Sequence, residues 1–127
     1  MKAFNTILIF AMILISFSCE NALNSTKDII FPDKDVSYIQ EVEPFLRYTC
    51  AYSGCHGYSA AGGIVLTDYF SIMKNPGLII PGNPDQSYLM QIIDNKIPHF
   101  TYFERSQITP NHISGMRIWI GEGALNN

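Results

Sequence analysis

The run Cys50-Ala51-Tyr52-Ser53-Gly54-Cys55-His56 holds the residues of this chain best suited to chemistry: two thiols, the second followed directly by an imidazole. Two cysteine sulfurs can add across the two vinyl groups of one porphyrin, while the adjacent histidine swings beneath the ring to ligate its iron. One covalent haem is therefore expected, attached through Cys50 and Cys55, with His56 as the proximal iron ligand. The usual motif has two residues between the cysteines, and this one has four. Glycine adopts positive φ at little steric cost, so Ser53-Gly54 is expected to loop outward and return both sulfurs to one haem edge. The Cys55-His56 adjacency, which fixes the ring edge above which the imidazole stands, is intact.

Two other uses of these residues stay open. A Cys50–Cys55 disulfide would make a haem-free domain, although closing so small a loop stabilises little and gives no reason for a histidine to follow. A zinc site would have to recruit His99 and His112 as its further nitrogen ligands, and zinc favours four ligands at characteristic spacings.

The start of the chain bears on compartment. Lys2, the apolar stretch Ile7 to Ile15 and Ser16-Phe17-Ser18-Cys19 have the layout of a secretory signal, with an apolar core too short for an ordinary membrane span. The segment resembles a lipobox, loosely, because Ser16 stands where leucine is usual; residues 1 to 18 are expected to be removed and Cys19 lipidated. The three cysteines then all have assignments, one to lipid and two to haem. Removing 18 of 127 residues leaves 109, enough for one small domain whose modest core a macrocycle could centre. Losing Lys2 leaves seven basic against eleven acidic residues, a formal charge of −4, which disfavours nucleic acid and offers no basic membrane patch. Membrane contact is expected through the lipid alone.

These residues must be positioned by short elements. Residues 19 to 35 are polar without a sustained apolar period and read as a flexible tether, leaving 36–127 as the haem domain. Val36 to Val42 reads as extended. Glu43-Pro44 starts a short helix that carries Phe45 and Leu46 inward and ends at the haem cysteines. Gly62-Gly63-Ile64-Val65-Leu66 is a brief apolar crossing, followed by a helical turn over Asp68 to Met73 capped by Thr67 or Asp68. Asp85 to Asp94 puts Tyr88, Leu89, Ile92 and Ile93 on one helical face, with Asn83 or Asp85 as cap. Lys96 to Ile108 is a loop. Thr109-Pro110 opens the last helix and Gly121 closes it, with Ile113, Met116, Trp119 and Ile120 as a buried stripe that crosses Phe45 and Leu46 near Gly115. The fold class is all-α: about three helices with long irregular connections around one haem.

A wider set of residues carries a resemblance. Pro44-Phe45-Leu46, Cys55-His56-Gly57, Gly62-Gly63-Ile64-Val65-Leu66, Pro81-Gly82-Asn83-Pro84-Asp85-Gln86-Ser87-Tyr88-Leu89 and Trp119-Ile120-Gly121-Glu122-Gly123-Ala124 follow one another in order. Over about residues 36 to 124 the chain resembles the planctomycete-type cytochrome c domain. The resemblance implies a small cytochrome c-like fold. It also implies a distal methionine in a Met-Pro-Pro segment, but this chain has Ile97-Pro98-His99 there, and an aliphatic side chain cannot coordinate iron.

Three arrangements compete at the distal face. His99 can complete bis-histidine ligation; Met116 or Met90 can reach in from a helix; or Ile97 packs over the iron and leaves it five-coordinate. Around the site, Pro81 is expected to offer its carbonyl to His56 Nδ1–H. Tyr52, Tyr58 and Trp119 either edge the porphyrin or fill core. Arg105 reads as a solvated loop residue, with pairing to a haem propionate as the alternative, and His112 reads as a surface residue.

The expected function is single-electron transfer between redox partner proteins by a haem c domain outside the cytoplasm, in the periplasm or at the cell surface, lipid-anchored to a bacterial membrane. No nucleophile–base–orienter set, glycine-rich phosphate loop or paired-carboxylate signature is visible, so no enzymatic activity is expected of the chain by itself. The rivals are a five-coordinate gas-binding or peroxidatic haem protein and a haem-free, disulfide-containing lipoprotein.

Overall fold

Proline at position 44 suits only the first turn of a helix, and the first α-helix, α1, spans Glu43–Thr49 with that proline in its first turn. The computed structural model describes residues 23–99 and 107–127. Among them the chain is helical without strands. After α1 come α2 (Tyr69–Met73), α3 (Tyr88–Ile93) and α4 (Pro110–Gly121), with 3₁₀ turns at Thr26–Asp28 and Pro84–Gln86. The expected all-α architecture and irregular connections are present, with one more helix than the three foreseen, because the turn after Asp68 completes into α2. Signal residues 1 to 18, Cys19 and Arg105 lie outside the described residues.

The helix ends follow local chemistry. Asp68 caps α2 by accepting from Ser71 N at 2.9 Å. Thr109 caps α4, its hydroxyl accepting from His112 N, while His112 Nδ1 accepts from Thr109 N at 3.0 Å. Asn83 caps the 3₁₀ turn ahead of α3, and Ser87, fully buried, accepts from Ile80 N and donates to Asn83 O. The Pro-Gly-Asn-Pro segment is thereby folded onto itself.

Val36 to Val42 is not extended throughout. Tyr38–Val42 forms a π-type turn running straight into α1, because Ser37 caps it by accepting from Gln40 N while the Glu41 carboxylate accepts from Ser37 N at 2.8 Å. Glu41 N and Val42 N donate to Ser37 O, while Tyr38 N donates to Asn127 Oδ1 and Ile39 N to Asn127 O.

The expected tether also needs correcting over its described part. Ile29 and Phe31 are each 2 % exposed, whereas Ile30 between them is 70 % exposed, so this segment is docked by alternate side chains. Asn111 holds Phe31 at both backbone groups, each at 2.9 Å. Glu122 accepts from Asp35 N and Val36 N. The polar composition of 19 to 35 conceals Ile29, Ile30 and Phe31, a run too short to establish a period.

The core lies between α1, α3 and α4, around Phe45, Leu46, Met90, Met116, Trp119 and Ile120. The buried stripe of α4 is Met116, Trp119 and Ile120 as expected, with Ile113 half-buried. At Gly115, however, the neighbour is Phe31: an added Cβ would lie 2.1 Å from its ring. Phe31 in turn meets Phe45 edge-on, with ring centroids 5.7 Å apart. Arg117 bridges the carboxylates of Asp85 and Asp94, tying α4 to both ends of the α3 region.

Candidate haem site

The end of α1 delivers the first thiol. Cys50 follows Thr49 directly, with its N–H on Leu46 O at 2.8 Å. The four intervening residues then wind a closed loop: Cys55 N and Gly57 N both donate to Tyr52 O, and His56 N returns to Cys50 O at 3.3 Å. Ser53 and Gly54 point into solvent as expected, but Gly54 is not in the left-handed region, so the slack comes from these turn hydrogen bonds and not from glycine's positive φ. The glycine the loop requires is Gly57, where a Cβ would stand 2.8 Å from Tyr52 O.

The loop closes against the crossing segment that follows. Gly62 N donates to Cys55 O at 2.7 Å and Leu66 N to His56 O at 2.9 Å. His56 Nδ1 lies 2.9 Å from Ile64 O; a carbonyl can only accept, so Nδ1 carries the proton and Nε2 is the basic nitrogen of the neutral ring. The partner foreseen from sequence was Pro81. Ile64 takes that place because the Gly62-Gly63 turn lays its backbone on the imidazole, and a Cβ at Gly62 would be 2.7 Å from His56 Cε1.

Among the described residues, Cys50, Cys55 and His56 line one cavity of about 330 Å³. Its other walls are chiefly apolar, from Ile64, Leu66, Leu78, Leu89, Ile92 and Ile93, with Thr49, Tyr52, Tyr88 and Ile108. Both thiols are free. Thr49 Oγ1 spends its proton on Phe45 O at 2.7 Å and sits 3.2 Å from Cys50 Sγ, so the Cys50 thiol donates to it. Burial pushes this thiol's pKa up.

The remaining sequence-derived candidates divide clearly. His99 lines the cavity, its ring centroid 5.8 Å from that of His56. Met90 and Met116 are fully buried core residues and do not line it. Neither does Ile97, which is half-buried beside the α3 terminus. Tyr52 lines the cavity, whereas Tyr58 is 84 % exposed and Trp119 is core, its Nε1 donating to Leu125 O. His112 is not a surface residue. It is 1 % exposed, with Nδ1 accepting from Thr109 N and Nε2 donating to Ile29 O at 2.9 Å, so it joins the docked segment to α4. The contributions missed from sequence are the Thr49 hydroxyl, the Ile64 carbonyl and the cavity walls Tyr88 and Ile92 as a pair; the paired glycines were the signal for Ile64.

A chelated zinc ion needs its ligand atoms all within about 2.3 Å of one point. Among the described residues no group of three or more His, Cys, Asp or Glu side chains is gathered to hold a metal ion. Two thiols and a prepared imidazole instead line one chiefly apolar cavity, which suits a largely apolar ligand. No helix among the described residues is long and apolar enough to cross a membrane. Comparison with known sequence families, curated proteins and solved structures finds no match to this chain.

Proposed function

We propose that this chain is a haem c electron carrier working outside the cytoplasm, held to a membrane by lipid on Cys19. The observation carrying this reading is that Cys50, Cys55 and His56 line the same apolar cavity, with His56 Nδ1 already occupied by the Ile64 carbonyl. Cys50 and Cys55 would each add their S–H across one vinyl group, a redox-neutral addition that consumes no co-reactant. His56 would supply Nε2 to the iron, and its Nδ1–H···O=C bond both orients the ring and strengthens it as a donor. The haem, once bound, supplies one-electron chemistry.

The rest of the site serves retention and insulation. Leu66, Leu78, Leu89 and Ile93, all under 8 % exposed, make a dry part of the cavity wall, while the half-exposed Tyr88 would mark the edge met by a redox partner protein. A covalent link suits a carrier outside the cell's reducing interior, where a lost cofactor is not replaced.

The test is to produce the protein with cytochrome c maturation machinery and extract it with acidified acetone. Haem is expected to stay with the wild type and to be lost from the Cys50→Ser/Cys55→Ser double variant. Each single serine variant should keep one thioether and show a red-shifted reduced spectrum from its remaining vinyl group. Extractable haem in the wild type, or no haem in any form, contradicts the reading.

A further inference from the structure

The geometry points to His99 as the second axial ligand, making this a bis-histidine centre closed to exogenous ligands; the inference rests on the proposed haem site and deepens it. An imidazole nitrogen bonds a first-row metal ion at about 2 Å, and the ring centroid lies about 1.2 Å further on, so two imidazoles on opposite sides of one ion have centroids about 6.4 Å apart. The His56 and His99 centroids are 5.8 Å apart, with 31° between the ring planes. Both residues line the cavity.

The rival arrangements place no side chain in the cavity. Ile97, at the place of the resembled family's methionine, does not line the cavity, and the thioethers of Met90 and Met116 are spent in the core. His99 is exposed, so its imidazole is not consumed in packing. The turn leading to it is fixed: Lys96 N and Ile97 N both donate to Gln91 O, and Asn95 adopts the left-handed φ of 57°. Pro98 then stiffens the approach to His99.

Replacing a thioether by an imidazole favours the oxidised iron, so such a centre sits at lower potential than a His/Met haem. It also leaves no open coordination position for carbon monoxide.

The experiment compares haem-loaded wild type, His99→Ala and His99→Met. The wild type is expected to be low-spin in both oxidation states and inert to carbon monoxide at neutral pH. His99→Ala should become high-spin when reduced and bind one carbon monoxide per haem. His99→Met should return to low spin with a raised midpoint potential. Because His99 is exposed, both variants are expected to fold. A wild type that binds carbon monoxide stoichiometrically, or a His99→Ala variant with unchanged spectrum, potential and inertness, overturns this inference while leaving the haem site standing. A wild type without covalent haem overturns both.

Discussion

His56 donates through Nδ1 to the carbonyl of Ile64 at 2.9 Å, and Gly62 lies flat against the same edge of the imidazole. The contact exists only because position 62 has no side chain. In Gly62→Ala the new Cβ would stand 2.7 Å from Cε1 and 2.9 Å from Nδ1 of His56, and 3.1 Å from Cys55 O. The ring must leave the Ile64 carbonyl to make room. The variant is expected to lose about 1–3 kcal/mol of stability by overpacking and to load less haem, checked by denaturant unfolding and by haem-to-protein absorbance ratio.

Phe31 sits between Gly115 and Phe45, so the docked N-terminal segment is part of the core. Phe31→Ala is expected to cost about 3–5 kcal/mol, the usual penalty for emptying a buried aromatic site. Deleting residues up to Asp35 should destabilise the domain at least as much, since it also removes Ile29 and the acceptor for His112 Nε2. Urea unfolding measures both; an undiminished midpoint in the truncated chain would restore the tether reading.

Asp68 supplies the pH dependence. Its carboxylate is held below its ordinary pKa of 3.8 chiefly by the hydrogen bond from the Ser71 backbone. Because the folded value is depressed, the cap's charge contributes stability at pH above 3.8, and that contribution fades as pH falls through the lower folded value. Asp68→Ala should cost about 1 kcal/mol at neutral pH. The gap between wild type and Asp68→Ala, followed by thermal melting, should narrow below pH 3.8.

The hydroxyl of Tyr38 is buried without a hydrogen-bond partner among the described residues, and burial, aided by Glu43 and Asp68, pushes its pKa up. Leaving a hydroxyl unsatisfied costs free energy that phenylalanine avoids. Tyr38→Phe keeps the ring against Tyr69 and Trp119 and is expected to raise stability by about 1 kcal/mol. A loss in chemical denaturation would mean the hydroxyl has a partner, such as ordered water.

Much of this was legible in the sequence because it depends on adjacent residues. Thr109-Pro110 set the start of α4, Asp68 the start of α2, and Phe45-Leu46 a buried face, all by local rules. What was not legible depends on residues far apart in the chain. His112 looks like a first-turn surface residue until Ile29 O, 83 positions earlier, arrives to accept from its Nε2. Ile29 and Phe31 look like stray apolar residues until Gly115 opens a slot for Phe31. The spacing of Cys50, Cys55 and His56 predicts that they share one cavity, which they line, whereas the carbonyl that orients His56 belongs to Ile64 only because a glycine turn folds back on it. Reading Ile97 as a lost ligand was possible from sequence. That His99, and not Ile97, lines the cavity needed the turn after α3.

The central claim is the covalent attachment of haem to Cys50 and Cys55, and the intact mass of the exported protein, produced alongside cytochrome c maturation machinery, tests it most directly. The polypeptide is expected to be heavier by one haem, and that increment should map by proteolysis to the peptide carrying Cys50 through His56. A colourless protein whose mass shows only the loss of two hydrogens, with Cys50 and Cys55 joined to each other, would contradict it.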